Sequence, residues 1–116
     1  MKKLLFIFLL AASSLLGADV KFEEMLVAAK SGDEMARVVV AYSYCFGEYR
    51  DGTKIEKDLM KAYAWASLAN YQGNEEAKKL IEDIIPKLRD RKKADDLAGE
   101  YFKQYGAKRD SATNRK

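Results

Sequence analysis

Apolar residues recur along most of this chain at intervals of three and four, and nowhere do they alternate cleanly with polar ones over a strand's length. That period predicts an all-α protein. A first helix is predicted near Val20 to Lys30, burying Phe22, Met25, Leu26 and Ala29, and Ser31-Gly32 supplies a left-handed stop. Asp33 is placed to cap a second helix. In it Met35, Val38, Val39, Tyr42, Phe46 and Tyr49 form one face, and Ala36, Val40, Ala41 and Tyr44 fill most of the rest, so that helix needs cover on two sides. Residues turn polar from Glu48 to Asp58, where Asp51-Gly52 predicts a loop. A third helix carries Leu59, Ala62, Tyr63, Trp65, Ala66, Leu68 and Ala69, its alanines permitting close approach of a neighbour. Gly73 ends it and Asn74 opens a fourth with Ala77, Leu80, Ile81, Ile84, Ile85 and Leu88. The fifth shows Ala94, Leu97, Ala98, Tyr101, Phe102 and Tyr105. Pro86 removes the donor that would bond the carbonyl of Glu82, so the fourth helix either kinks there or ends raggedly.

Ahead of this pattern stand Lys2 and Lys3, then an apolar run from Leu4 to Leu16 that closes on Gly17-Ala18. A basic start, a short apolar core and small residues before the first acid predict a cleaved signal peptide over 1–18 and a periplasmic or secreted product. The alternative is an uncleaved anchor, although crossing the hydrocarbon takes roughly 20 apolar residues. Leu16 is bulky for its place before the cut, so the site is defined only to within a few residues. Removing 18 of the 116 residues leaves 98, enough for one small helical domain over 19–106, followed by a basic tail at 107–116 without apolar period, which predicts disorder.

Composition narrows the chemistry. The chain has no His and one Cys, which excludes His-based nucleophile pairs, the usual zinc ligand sets and an intramolecular disulfide; no cofactor or metal is expected. In an oxidising compartment Cys45 either hides as a small hydrophobe or pairs between chains. Residues 19–85 hold nine Lys/Arg against thirteen Asp/Glu, whereas 86–116 hold ten against five. The basic end is a solvated helix face and tail or, as an alternative, a weak ligand for anionic surfaces; for an exported chain nucleic acid is not an expected partner.

Two blocks line up with one known unit. The first is Gly32-Asp33-Glu34-Met35-Ala36, then Val40-Ala41 and Tyr44; the second runs through Tyr49, Gly52, Ile55, Asp58, Lys61-Ala62, Trp65, Ala69, Gly73-Asn74 and Ala77. Together they resemble a Sel-one-like repeat, a helix-turn-helix relative of the tetratricopeptide repeat, over roughly residues 31–102. The chain departs from that pattern by about five extra residues between Cys45 and Asp51, which lengthen either the helix or the turn, and by Lys54 standing where the pattern has Gly. The resemblance implies a short α-solenoid of antiparallel helix pairs, one clear repeat hairpin with flanking capping helices. It implies packing roles for Gly32, Asp33, Ala36, Gly52, Ile55, Asp58, Ala62, Trp65, Ala69, Gly73 and Ala77.

Members of that family are commonly scaffolds or adaptors that bind other proteins, so the resemblance implies a non-enzymatic interaction module of the bacterial envelope or exterior. Tyr42, Tyr44, Tyr49 and Arg50 are the candidate partner contacts, because Tyr and Arg anchor interfaces where exposed. One repeat is few for a solenoid, so self-association is a further expectation. Cysteine-rich exported relatives have been described as binding or hydrolysing β-lactams, which needs Ser-x-x-Lys. Ser31, Ser43, Ser67 and Ser111 are followed three residues on by Glu34, Phe46, Asn70 and Asn114, and the paired Cys are absent. The remaining enzymatic alternative is a carboxylate pair of Glu48 with Asp51 or Glu56.

Overall fold

A computed structural model describes residues 19–106. The expected signal peptide at 1–18 and basic tail at 107–116 lie outside the described residues. Five α-helices follow one another, α1 Phe22–Lys30, α2 Glu34–Phe46, α3 Leu59–Tyr71, α4 Glu75–Ile84 and α5 Arg91–Tyr101, with a 3-10 turn at Ile85–Lys87 and a π-turn at Phe102–Gly106. The fold is all-α; among the described residues the one β feature is an isolated bridge between Glu48 and Lys54.

Four of the five helices start where a side chain replaces the missing intrahelical acceptor. Asp33, Asp58, Asn74 and Asp90 accept from the backbone N–H groups of Ala36, Lys61, Ala77 and Lys93 at 2.8 to 3.0 Å. α1 begins two residues later than its apolar pattern, at Phe22, with Glu24 reaching back to the N–H of Lys21. Pro86 resolves into a ragged end rather than a kink. The α-helix stops at Ile84, a single 3-10 turn carries the proline, and Leu88 is already extended.

Packing centres on α3, which touches α2 most extensively and also α5 and α4; α1 lies against α2. Ala62, Ala64, Ala66 and Ala69 have no exposed surface, so neighbouring helices approach the α3 backbone on several sides. Trp65, 2% exposed, stacks on Tyr105 at 5.3 Å and receives the edge of Tyr101 at 5.0 Å. The last turn of the described chain thus closes over the largest side chain in the core. Truncating a buried side chain of this size costs roughly 3 to 5 kcal/mol.

One expected face is corrected. The buried residues of α2 are Ala36, Arg37, Val38, Val40, Ala41, Ser43 and Cys45, whereas Met35 and Phe46 are 40% and 67% exposed. α1 and α3 take the small-residue side of α2 because alanine permits the closer approach, leaving the bulkier stripe outside. Residues 47–58 form the turn, and the helix does not continue through them. α2 ends at Phe46 because Gly47 adopts φ +77°, a conformation strained for any residue with a Cβ, and a Cβ there would also touch the Ile55 carbonyl and the Lys57 side chain, each 3.4 Å away. The loop then folds on itself, with Tyr49 N–H to Thr53 O and Gly52 N–H to Tyr49 O both at 2.8 Å, Gly52 at φ +94° completing the turn.

Candidate functional site

The α2–α3 loop and the outer side of α2 hold the candidate partner contacts, and the structure separates them into two groups. Tyr49 is corrected from contact to core. It is 1% exposed, and its hydroxyl donates to the carbonyl of Val20 at 2.6 Å. Tyr44 is half-buried, and Phe22 presents a ring edge to both tyrosines, at 5.7 and 5.5 Å. The turn is what lets residues five apart reach one ring; a helix continued through both would have rotated them about 1.4 turns apart. These two tyrosines therefore tie the loop to the start of α1, and burial raises the pKa of both hydroxyls.

Tyr42 and Arg50 face outward with residues the sequence pattern assigned to the core. Met35, Val39, Tyr42 and Phe46 follow one another at i, i+4, i+7 and i+11, a single stripe along α2. At its C-terminal end the Tyr42 and Phe46 rings stack at 5.8 Å with 18° between planes. Beside them Val39, Tyr42, Ser43, Phe46, Glu48 and Arg50 line a shallow depression of about 290 Å³. Arg50 is exposed, and its guanidinium also lies 5.5 Å from the centre of the Tyr49 ring, so a buried tyrosine helps hold an exposed cation at the rim. Burial raises the Tyr42 pKa, and the carboxylates of Glu76 and Asp83, one turn-pair apart on α4, raise it further. The stripe is bordered by acids on that side.

The repeat-pattern residues occupy structural positions. Ala36, Ala62, Ala69 and Ala77 are at most 1% exposed, Trp65 fills the core, and Ile55 is half-buried against it. Gly32, Gly52 and Gly73 all have positive φ, and Asp33 and Asp58 are caps. Asn74 also donates to Glu34 at 2.9 Å, linking the start of α4 to the start of α2.

Cys45 is buried and unpaired with another cysteine; burial raises its thiol pKa, against the lowering influence of Lys87 and Lys57. The carboxylates once paired as possible acids go different ways. Glu48 meets Lys54 at 3.7 Å, and Asp51 accepts from the Thr53 N–H at 2.9 Å; hydrogen bonding from the Thr53 side chain first, and then from its backbone, holds the Asp51 carboxyl below the ordinary range. Among the described residues no group of three or more His, Cys, Asp or Glu is placed to hold a metal ion, and no helix is long and apolar enough to cross a membrane.

Arg37 is the residue that pattern reading missed. It is 1% exposed, its Nε donates to Ala29 O at 2.8 Å, and its two terminal nitrogens donate to Gln72 Oε1 at 3.1 Å and Tyr105 O at 3.3 Å. Gln72 in turn donates to Gly32 O at 2.9 Å. A long cation within an otherwise apolar helix face was the available signal.

Comparison with protein-family models, with curated proteins and with solved structures gives no match to this chain.

Proposed function

We propose that this chain is an exported helical-repeat adaptor of the Sel-one-like kind, which binds another protein through the outer stripe of α2 and performs no catalysis. One observation carries the reading: Phe46, two-thirds exposed, stands on the half-buried Tyr42 beside a depression rimmed by Arg50. Large apolar side chains left on the outside of a small domain, at helical spacing and next to an aromatic and an arginine, are the composition of an interface centre. The hairpin of α2 and α3 supports the repeat assignment, since caps, glycines, alanines and Trp65 each fill the role their spacing implies. Export rests on the Lys2-Lys3 start and the apolar run that follows.

A photo-crosslinking amino acid at Phe46, compared with the same group at the exposed Lys103, tests the assignment in cells that make the protein. The expected result is a discrete crosslinked species from Phe46 alone, abolished by an accompanying Met35→Asp change that leaves the thermal midpoint unchanged. Equal products from both positions, or none from Phe46, would overturn it.

A further inference from the structure

At a different place in the molecule, a recess of about 480 Å³ opens between the start of α3 and the segment joining α4 to α5. Lys57, Asp58, Leu59 and Met60 form one wall; Lys87, Leu88, Arg89, Asp90 and Lys93 form the other. Its charge is unbalanced, four cations against two carboxylates. Those two carboxylates are also engaged, because Asp58 and Asp90 each cap their own helix, accepting from Lys61 N–H and Lys93 N–H at 3.0 Å. The cations are not. Ion pairs near the recess join Lys54 to Glu48, Arg91 to Asp95 and Lys92 to Asp96, and among the described residues none involves Lys57, Lys87, Arg89 or Lys93. Leu59, Met60 and Leu88 are half-buried, so the recess combines an apolar floor with an exposed basic rim.

We infer that this recess binds an acidic peptide segment of a partner protein, one apolar side chain entering between Leu59, Met60 and Leu88 while flanking Asp or Glu carboxylates meet Lys57, Lys87, Arg89 and Lys93. Charge complementarity selects the sign of the ligand, because an anionic segment brings counter-charge to four cations that form no ion pair and that the two capping carboxylates only half balance. Shape selects a peptide over a bilayer. A flat anionic surface reaches the rim and leaves the apolar floor wet, whereas an extended segment with a leucine-sized side chain covers both. The volume falls within the range of small-ligand clefts, which suits one side chain and its neighbours rather than a whole helix.

The inference is independent of the α2 stripe, and the experiment keeps the two apart. Backbone amide resonances of the isotope-labelled domain are followed during titration with the blocked pentapeptide Asp-Glu-Leu-Glu-Asp, with its amide counterpart Asn-Gln-Leu-Gln-Asn, and with Asp-Glu-Gly-Glu-Asp. Saturable shifts confined to residues 57–60 and 87–93 are expected for the first peptide, with affinity at least tenfold weaker for the other two. The same weakening is expected in the double variant Lys57→Glu, Lys93→Glu, whose fold is checked by its unchanged thermal midpoint, and affinity should fall as salt is added. Phe46→Asp should leave the titration as it is. Absence of saturable shifts, equal binding of the amide peptide, or full affinity in the double variant would each overturn the inference. So would sedimentation with vesicles of phosphatidylcholine and phosphatidylglycerol, lost in the double variant, without peptide binding; that outcome would give the recess to lipid headgroups.

Discussion

Arg37 illustrates how a single side chain can hold three parts of this domain in register. Its guanidinium joins the last turn of α1 through Ala29, the end of α3 through Gln72, and the closing turn through Tyr105. The carbonyls it reaches lie near the negative ends of helix dipoles, which offsets part of the cost of burying a cation. Replacing it by methionine of similar length removes the donors that join the three elements. Arg37→Met is therefore expected to lose roughly 2 to 4 kcal/mol in urea unfolding, more than Ser67→Ala on α3, and a loss below about 1 kcal/mol would contradict this account. The tyrosines make a second prediction at this level. Burial pushes the Tyr101 hydroxyl up to about 12, with the neighbouring tyrosines and Asp58 adding to the shift. A raised folded value means that the neutral form is favoured in the fold. Its contribution is fully present below the ordinary tyrosine value of about 10 and is lost as pH rises towards about 12. Alkaline unfolding followed by circular dichroism should track phenolate absorbance in that window, and Tyr101→Phe should move the transition to higher pH.

Among the elements, the α2–α3 connection decides most. The polar run from Glu48 and its Asp51-Gly52 turn were legible, but where α2 would stop was not, because only the folded chain puts Gly47 at a positive φ that breaks the helix. That position couples a left-handed backbone to a close approach by Ile55 and Lys57. Gly47→Ala is expected to destabilise the domain by about 1 to 2 kcal/mol in thermal or urea unfolding, and no change would mean that the loop relaxes without strain. The N-caps, by contrast, could be read directly. Asp33 and Asn74 were placed by spacing alone, since the cap interaction is local and depends only on residues three apart. Asp58 and Asp90 follow the same geometry in the structure. At α5, the Tyr63 hydroxyl donates to Asp95 at 2.6 Å, and Arg91 approaches the same carboxylate at 3.4 Å. Tyr63 first, and then Arg91, hold the Asp95 pKa down. A depressed carboxylate stabilises above its unfolded value and stops doing so as pH falls through the folded one. The gap in thermal midpoint between the wild type and Asp95→Asn should accordingly shrink from neutral pH to below about pH 4, and a gap that widened in acid would reverse the assignment.

For the molecule as a whole, closure over Trp65 is the event that makes five short helices into one core. Trp65 is the single tryptophan, so its emission reports that closure without interference. Tyr105→Ala removes the ring stacked upon it and the aromatic cover of the last turn, and the expected result is a red-shifted emission maximum together with easier quenching by iodide. Unchanged emission would mean that α5 alone shields the indole. The helices, their order and the caps at Asp33 and Asn74 were readable in the chain, as was the capacity of the alanine-rich α3 for close approach, because periodicity, capping and alanine content act over a few neighbouring residues. Which flank of α2 would be covered was not. Two apolar stripes were available on that helix, and the choice depended on which one α1 and α3 could approach closely, a contact between segments distant in sequence. The same holds for Tyr49, whose burial needs Phe22 and Val20 beside it, for Arg37, whose acceptors come from three separate places, and for the basic recess, whose walls are some thirty residues apart. Local patterns set the parts of this protein; long-range packing set which side chains were left for other molecules to touch.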